Sequence, residues 1–278
     1  MKKLNVFIIS QEEPFYIPKV IKYLLEHQNA NFKVVGASRL KPHRKNKTMK
    51  DWLLERTQIY TYWELFITTI FFVYCKVWYK LLSKFGIENP FSVSEVYKKF
   101  NIKEVVTDNI NSEAYLDKLD ELNLDIILSI SPPQLFQERL IKLPKVACLN
   151  AHGTLLPRHR GVFGSWWMLN LDDEEIGTTI HTMEERLDAG EIVWQKSIPM
   201  PKNATQYRIA YHTKKVMSEG LVEVINNYSL NKVIAINPKY KESYHRAPTK
   251  EEGKVFHKKG KRVVTLNDAK YTLACKFD

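Results

Sequence analysis

The first forty residues alternate between short unbroken apolar runs and stretches in which apolar positions recur with helical spacing. Residues 4–9 (LNVFII) are apolar and bounded by polar residues, as expected of a strand covered on both faces. Residues 14–26 read as a helix. Pro14 stands at its start, and Ile17, Val20, Ile21, Leu24 and Leu25 share one face. Residues 32–37 (FKVVGA) return to a strand, and this β-α-β opening implies a parallel sheet with right-handed crossovers. The same grammar resumes further on. A helix is expected over 92–100, a strand over 104–107, a helix over 112–122 with Ser112 as N-cap, and an apolar strand over 125–130 (DIILSI). A helix over 134–141, a strand over 146–150 (VACLN) and a short helix over 165–171 follow. Strands 177–183 and 191–198 are joined by EERLDAG, and Thr205 opens a long helix over 205–225. The pattern predicts an α/β fold: a Rossmann-like, mostly parallel sheet with helices on both faces. Residues 1–228 form the main domain. Residues 229–278 form a short C-terminal extension, read as loop and tail, that packs back through Tyr244, Pro248, Val255 and Phe256.

Residues 49–86 interrupt this grammar. From 49 to 83 there is no Pro or Gly, so one long helix or two are expected, and residues 65–75 (LFITTIFFVYC) carry no charge. A membrane-spanning helix needs about 20 apolar residues. Glu64 inside the stretch and Lys76 and Lys80 beside it argue against a span. Burial in the fold, a subunit interface, or a peripheral membrane contact through residues 57–82 remain, the last because aromatics and lysines suit an interface.

Composition adds bounds. The chain has 278 residues, 44% hydrophobic and 26% charged, which is globular and excludes disorder or coiled coil as the main state. Cys75, Cys148 and Cys275 are far apart with no CxxC pair, so neither a disulfide framework nor a structural zinc site is supported. The N-terminus lacks a cleavage site after its short apolar run, and a cytoplasmic location is expected. The net charge of +11 is concentrated: residues 39–50 hold six Lys/Arg and no acid, and residues 241–278 hold ten Lys/Arg against five Asp/Glu. Solvated loops explain this, as does attraction to a nucleotide-linked substrate, a polyanionic cofactor tail, tRNA or an anionic membrane.

Common cofactor signatures are missing: no GxGxxG follows the first strand, and there is no P-loop or GxSxG elbow. His152, His159 and His181 match no zinc spacing, so no metal is expected. The informative stretch is LNAHGTLLPRHRG, residues 149–161. A buried strand ends there, and ligands in open parallel sheets bind beyond the carboxyl ends of strands. Asn150 and His152 point the same way if the strand stays extended, placing an amide beside an imidazole. In LDAGEI, residues 187–192, Asp188 precedes a turn and could approach His152. Each residue alone is also an ordinary turn former or structural histidine; the joint pattern is what points to chemistry.

At these residues the chain resembles the folate-dependent formyltransferases, the family of glycinamide ribonucleotide, methionyl-tRNA and sugar-amine N-formyltransferases. Their Asn-x-His-x-Ser-x-Leu-Pro-x-x-Arg-Gly motif matches residues 150–161 and their Asp-x-Gly-x-Ile turn matches residues 188–192, with His152 and Asp188 36 residues apart. The resemblance covers roughly residues 4–227 and is strongest over 125–199. Thr154 stands where the family has Ser, Gly153 replaces a more frequent Pro, residues 49–86 are a longer insertion, and the C-terminal part is too short for the β-barrel appendage of the tRNA enzyme. The resemblance implies a formyltransferase-type catalytic domain that transfers a formyl group from 10-formyltetrahydrofolate to an amine. Asn150, His152 and Asp188 are implied as catalytic; Ser129, Ile130, Ser131, Leu135, Arg186, Leu187 and Gly190 as folate-binding; and Thr154, Arg158, Arg160 and His181 as acceptor contacts. The implied partner is a small amine, with a nucleotide-linked amino sugar leading and no nucleic acid. A formyltetrahydrofolate hydrolase, a tRNA-acting enzyme and a non-catalytic or membrane-docked module are the alternatives. The hydrolase carries an extra N-terminal domain, whereas the first strand here begins at residue 4.

Overall fold

The computed structural model describes residues 3–41, 48–85, 91–274, 276 and 277. Cys275 and residues 42–47 of the basic segment lie outside them. In chain order the elements are β1 (Leu4–Gln11), α1 (Ile17–Glu26), β2 (Phe32–Leu40), α2 (Met49–Thr57), α3 (Tyr62–Lys84), α4 (Val93–Lys99), α5 (Glu113–Asp120), β3 (Ile126–Ile130), α6 (Glu138–Lys142), β4 (Ala147–His152), β5 (Arg160–Gly161), α7 (Gly164–Asn170), β6 (Glu175–Thr182), β7 (Ile192–Pro199), α8 (Gln206–Ser229), β8 (Tyr244–His245) and α9 (Lys250–Lys258). A 3-10 turn (Leu266–Asp268) and α10 (Ala269–Thr272) follow.

The main sheet has the order β2-β1-β3-β4-β6-β7. The first four strands are parallel, and β6 runs antiparallel to both its neighbours. This is the mostly parallel α/β sheet read from the hydrophobic pattern. Side-chain alternation divides the core. Val6, Ile8, Ile126, Leu128 and Leu149 pack under α1, α4 and α8 on one face. Phe7, Ile9, Ile127 and Cys148 pack under α5 and α6 on the other. A third cluster joins α3, α7 and the C-terminal extension around Trp166, Ile67, Phe71 and Phe256.

Several boundaries differ from the sequence reading, each for a local reason. The first helix begins at Ile17 rather than Pro14, because the Glu13 carboxylate accepts the backbone N–H groups of Phe15, Tyr16 and Ile17 and caps the helix from outside. Residues 104–107 form no strand; Ala37 and Glu104 make one isolated bridge. Ser112 precedes α5, but its hydroxyl donates to Asn109 O instead of capping. The helix expected from 134 starts at Glu138. Gln134 is tied to Ile110 N and Asp108 O (3.2 and 2.9 Å), and Asn111 to Leu135 O and Gln137 N. Residues 49–83 form two helices, broken at Ile59, whose carbonyl is held by His257 of α9 (3.0 Å).

The C-terminal segment is not loop throughout. Thr249 and Glu252 make a capping box that opens α9, a signal legible in TKEE. Of the four residues expected to pack it down, Pro248 and Phe256 are buried, whereas Tyr244 and Val255 are exposed. Val263 and Val264 do that work instead. Arg208 of α8 adds a buried ion pair to Asp268 (2.9 Å). α3 buries only one side, through Ile67, Phe71 and Cys75. No helix among the described residues is long and apolar enough to cross a membrane.

Glu64, 1% exposed, ties the insertion to the extension. One carboxylate oxygen accepts Val263 N (2.7 Å), and the other accepts Thr61 N and the Thr61 hydroxyl (2.8 and 2.9 Å). Glu64→Ala leaves a buried N–H without a partner and strips the N-terminus of α3. It is expected to cost about 2–3 kcal/mol in urea unfolding. It is also expected to accelerate hydrogen exchange at the Val263 amide.

Candidate active site

The polar cluster begins with the register of three strands. Ser129 of β3 is in register with Asn150 of β4, and Asn150 with His181 of β6. These side chains therefore form one row across the sheet at the carboxyl end of β3 and β4, on the face away from α1 and α8. A one-residue slip in any of the three strands would break the row.

The row is hydrogen-bonded end to end. Ser129 Oγ donates to Asn150 Oδ1 (2.8 Å), so the amide nitrogen faces the other way, toward His181 Nε2 (3.1 Å). His181 Nδ1 donates to Thr182 O (2.7 Å), which leaves Nε2 as an acceptor for Asn150. Burial, with the neighbouring His152 adding to it, pushes the His181 imidazolium down to about 4. A neutral ring of one fixed tautomer thus aims the Asn150 amide.

His152 and Asp188 are placed by the turn at residues 157–161. His152 Nε2 donates to His159 O (3.1 Å), and its Nδ1 lies 3.6 Å from Asp188 Oδ1. Asp188 Oδ2 accepts Gly161 N (2.8 Å), which anchors one carboxylate oxygen and presents the other. That presented oxygen is 3.5 Å from Asn150 Nδ2 and 3.9 Å from His181 Nε2. Three nitrogens therefore converge on one carboxylate oxygen without a tight bond to any of them. Gly161 adopts φ +100°, and a Cβ there would meet His245 O at 2.2 Å.

The structure brings Asn150, His152, Asp188, Ser129 and His181 together. Ile130 is buried beneath them, and Ser131 (φ 53°) follows at the strand end. Leu135 stands 68% exposed on the following loop. Gly190 is confined, since a Cβ would lie 1.8 Å from Thr182 O. Leu187 O accepts Arg160 Nε (3.1 Å), and Arg186 is exposed and paired with Glu242 (2.7 Å). Thr154 is buried and donates to Arg158 O (3.1 Å). The two arginines expected to meet the acceptor have partners within the protein. Arg160 binds Leu187 O and Glu242. Arg158 lies over the Tyr240 ring (4.6 Å) and near Asp173 (3.5 Å).

Four contributors were not read from the sequence. His159 is buried in the left-handed region (φ 60°) and paired through Nε2 with Asp173 (2.7 Å), so this pair orients the carbonyl that holds His152. Ser243 receives His159 N through its hydroxyl (2.9 Å) and Arg160 N through its carbonyl (2.9 Å), clamping the turn from the extension. Lys214 of α8 donates to Ser131 Oγ (3.0 Å), and burial pushes its ammonium down to about 8. His159 lies within the informative stretch but at a position the motif leaves open, and no local motif marks the others; Asp173 reads as a turn former and Lys214 as one of several helix lysines.

The fold and this cluster define a class: an α/β protein with an amide, an imidazole and a carboxylate gathered beyond the carboxyl ends of its parallel strands. Residues 83–225, just over half the chain, match the family described as Formyl transferase, and the chain belongs to that family. It is 30% identical over 140 residues to the bifunctional polymyxin resistance protein ArnA of Wigglesworthia glossinidia brevipalpis, covering 49% of this chain and 21% of that one. It is 28% identical over 158 residues to the methionyl-tRNA formyltransferase of Halothermothrix orenii, covering 57% and 49%. The chain thus spans between a fifth and a half of these relatives' lengths. A solved N-formyltransferase from Helicobacter canadensis shares the fold, with a TM-score of 0.54 and 16% identity over 86% of this chain and 70% of that one.

The depressed His181 value sets a pH window. An unfolded histidine takes up its proton near 6.5 and the folded one only near 4, so the unfolded chain binds the extra proton first. The stabilising contribution is complete above 6.5 and is lost as pH falls toward 4. Wild type is expected to lose unfolding free energy relative to His181→Gln across that window in urea titrations. A difference independent of pH would contradict the buried neutral ring.

Proposed function

We propose that the chain transfers a formyl group from 10-formyltetrahydrofolate to the amine of a small acceptor, with a nucleotide-linked amino sugar as the leading class. The observation that carries this reading is the convergence of Asn150 Nδ2 and His152 Nδ1 on the free oxygen of Asp188, at 3.5 and 3.6 Å. Family membership supports the chemistry. The Helicobacter canadensis enzyme was solved with folinic acid and dTDP-3-aminofucose, which supports the donor and acceptor classes.

The donor supplies an activated formyl carbonyl whose oxygen gains negative charge as the amine attacks. Asn150 Nδ2 carries two hydrogens, one spent on His181. The other points toward Asp188 across a contact long enough to be exchanged for that oxygen. Ser129 and His181 fix the amide in advance, so little reorganisation accompanies the reaction. His152 keeps Nε2 on His159 O and faces the reacting centre with Nδ1, where a second proton places positive charge beside the oxyanion or passes to the departing nitrogen. Asp188, held by Gly161 N, takes the proton shed by the amine and orients His152. The exposed Leu135 and the backbone of residues 186–190 suit a flat heterocycle and its polar edge. The chain's own residues thus provide acid, base and oxyanion donor without a covalent intermediate.

Purified protein, 10-formyltetrahydrofolate and a panel of amines, read by the mass gain of one formyl group, test the reading. Formylation of a nucleotide-linked amino sugar is the expected outcome. Transfer only to charged initiator tRNA would refute the acceptor class, and rapid formate release without any amine would indicate a hydrolase. Asn150→Ala is expected to lower kcat about a hundred- to a thousand-fold. Asp188→Asn keeps an acceptor for Gly161 N but removes the base, and a fall of at least about a hundred-fold is expected. Both variants should retain the wild-type circular dichroism spectrum.

A further inference from the structure

We propose that the outward face of α3 docks on an anionic lipid bilayer, lying along its surface. The helix has 23 residues and is about 34 Å long at about 1.5 Å per residue. Its inner side is committed to the protein through Ile67, Phe71, Cys75 and the buried Glu64. Its outer side carries Trp63, Phe66, Ile70, Val73 and Val77 at alternating spacings of three and four, each between 42 and 59% exposed. Tyr74, Trp78 and Leu81 widen this into one stripe. The exposed rings pair with each other, Trp63 on Phe66 (5.4 Å) and Tyr74 on Trp78 (5.6 Å), and leave their outer surfaces to solvent. A contiguous apolar face of this kind marks an interaction site. All of these stripe residues precede the family-matched residues 83–225.

Charge selects the occupant. The helix has one carboxylate, Glu64, and it is turned inward onto Val263 N and Thr61. Lys76 and Lys84 are exposed, and the chain as a whole carries +11. A second copy docked face to face would bring apolar surface together, but it would also meet the lysines with a helix that has no free carboxylate to offer. An anionic headgroup layer neutralises them while its acyl boundary takes the stripe. Tryptophan and tyrosine, each apolar with one polar tip, suit that boundary. The helix is too poor in apolar residues to cross the bilayer, so it lies in the interface. The Glu64 anchor to the extension holds the stripe outward before any lipid is met.

Flotation of the full chain with phosphatidylcholine vesicles, with and without phosphatidylglycerol, tests this independently of formyl transfer. About ten-fold more protein is expected to float with the anionic vesicles, and the excess should vanish in high salt. Phe66→Glu and Val73→Gln, both on the exposed stripe, should lose flotation while keeping the wild-type circular dichroism spectrum. Equal recovery with neutral and anionic vesicles, no flotation, or flotation of both variants at wild-type level would overturn the proposal. So would a lipid-independent dimer in size-exclusion chromatography that Val73→Gln dissociates, which would assign the face to a second copy.

Discussion

Two hydrogen bonds from one turn hold the candidate site. The carbonyl of His159 receives His152, and two residues on, the amide of Gly161 donates to Asp188. The bond to the Asp188 carboxylate contributes about 1.5–3 kcal/mol, but the larger effect of the two bonds is geometric. They fix the imidazole and the carboxylate relative to the same short stretch of backbone. Arg160, lying between, binds Leu187 O and so ties the loop that carries Asp188 to the same turn. Any displacement of residues 157–161 moves the imidazole and the carboxylate together.

The turn is in turn held from three sides. Thr154 bonds it from the strand end, and Asp173 secures the His159 ring. Ser243 reaches it from the C-terminal extension, where β8 pairs with β5. Residues 229–278 are therefore part of the architecture of the site as well as a cover for the core. The extension is itself fastened by Arg208 to Asp268 and by Glu64 to Val263 N. Through Glu64, the insertion that carries the exposed stripe and the segment that clamps the turn share one buried carboxylate.

The Ser129–Asn150–His181 row solves a different problem. An asparagine amide can turn either end toward a neighbour, and only one end donates. Ser129 can give its proton to the oxygen end alone, and a neutral His181 with its proton on Nδ1 can accept only from the nitrogen end. Burial keeps that ring neutral, so the same desolvation that makes His181 costly to protonate makes Asn150 a dependable donor.

The six strands of the main sheet, the long helix from Gln206 and the residues of the Asn-x-His stretch and the Asp-x-Gly turn were legible in the sequence, because hydrophobic periodicity and motif spacing are local properties. Residues 104–107 read as a strand on the same local grounds, yet form only one bridge. The α/β class followed from the same periodicity. The start of α9 was also written locally, in Thr249 and Glu252, although the segment read as loop. What the sequence could not contain was register and long-range capture. Helix α1 starts late because Glu13 folds back on it, and the sixth helix starts late because Gln134 is spent on Asp108 and Ile110. The resemblance implies Arg158 and Arg160 as acceptor contacts, yet tertiary packing brings Asp173, Tyr240, Leu187 O and Glu242 to them. The residues that aim the cluster, Ser129 and His181 across two strand pairings and Ser243 across more than eighty positions, act through contacts that exist only once the sheet has formed. Chemistry-bearing side chains are chosen residue by residue along the chain, but their orientation is a property of neighbours that only folding supplies.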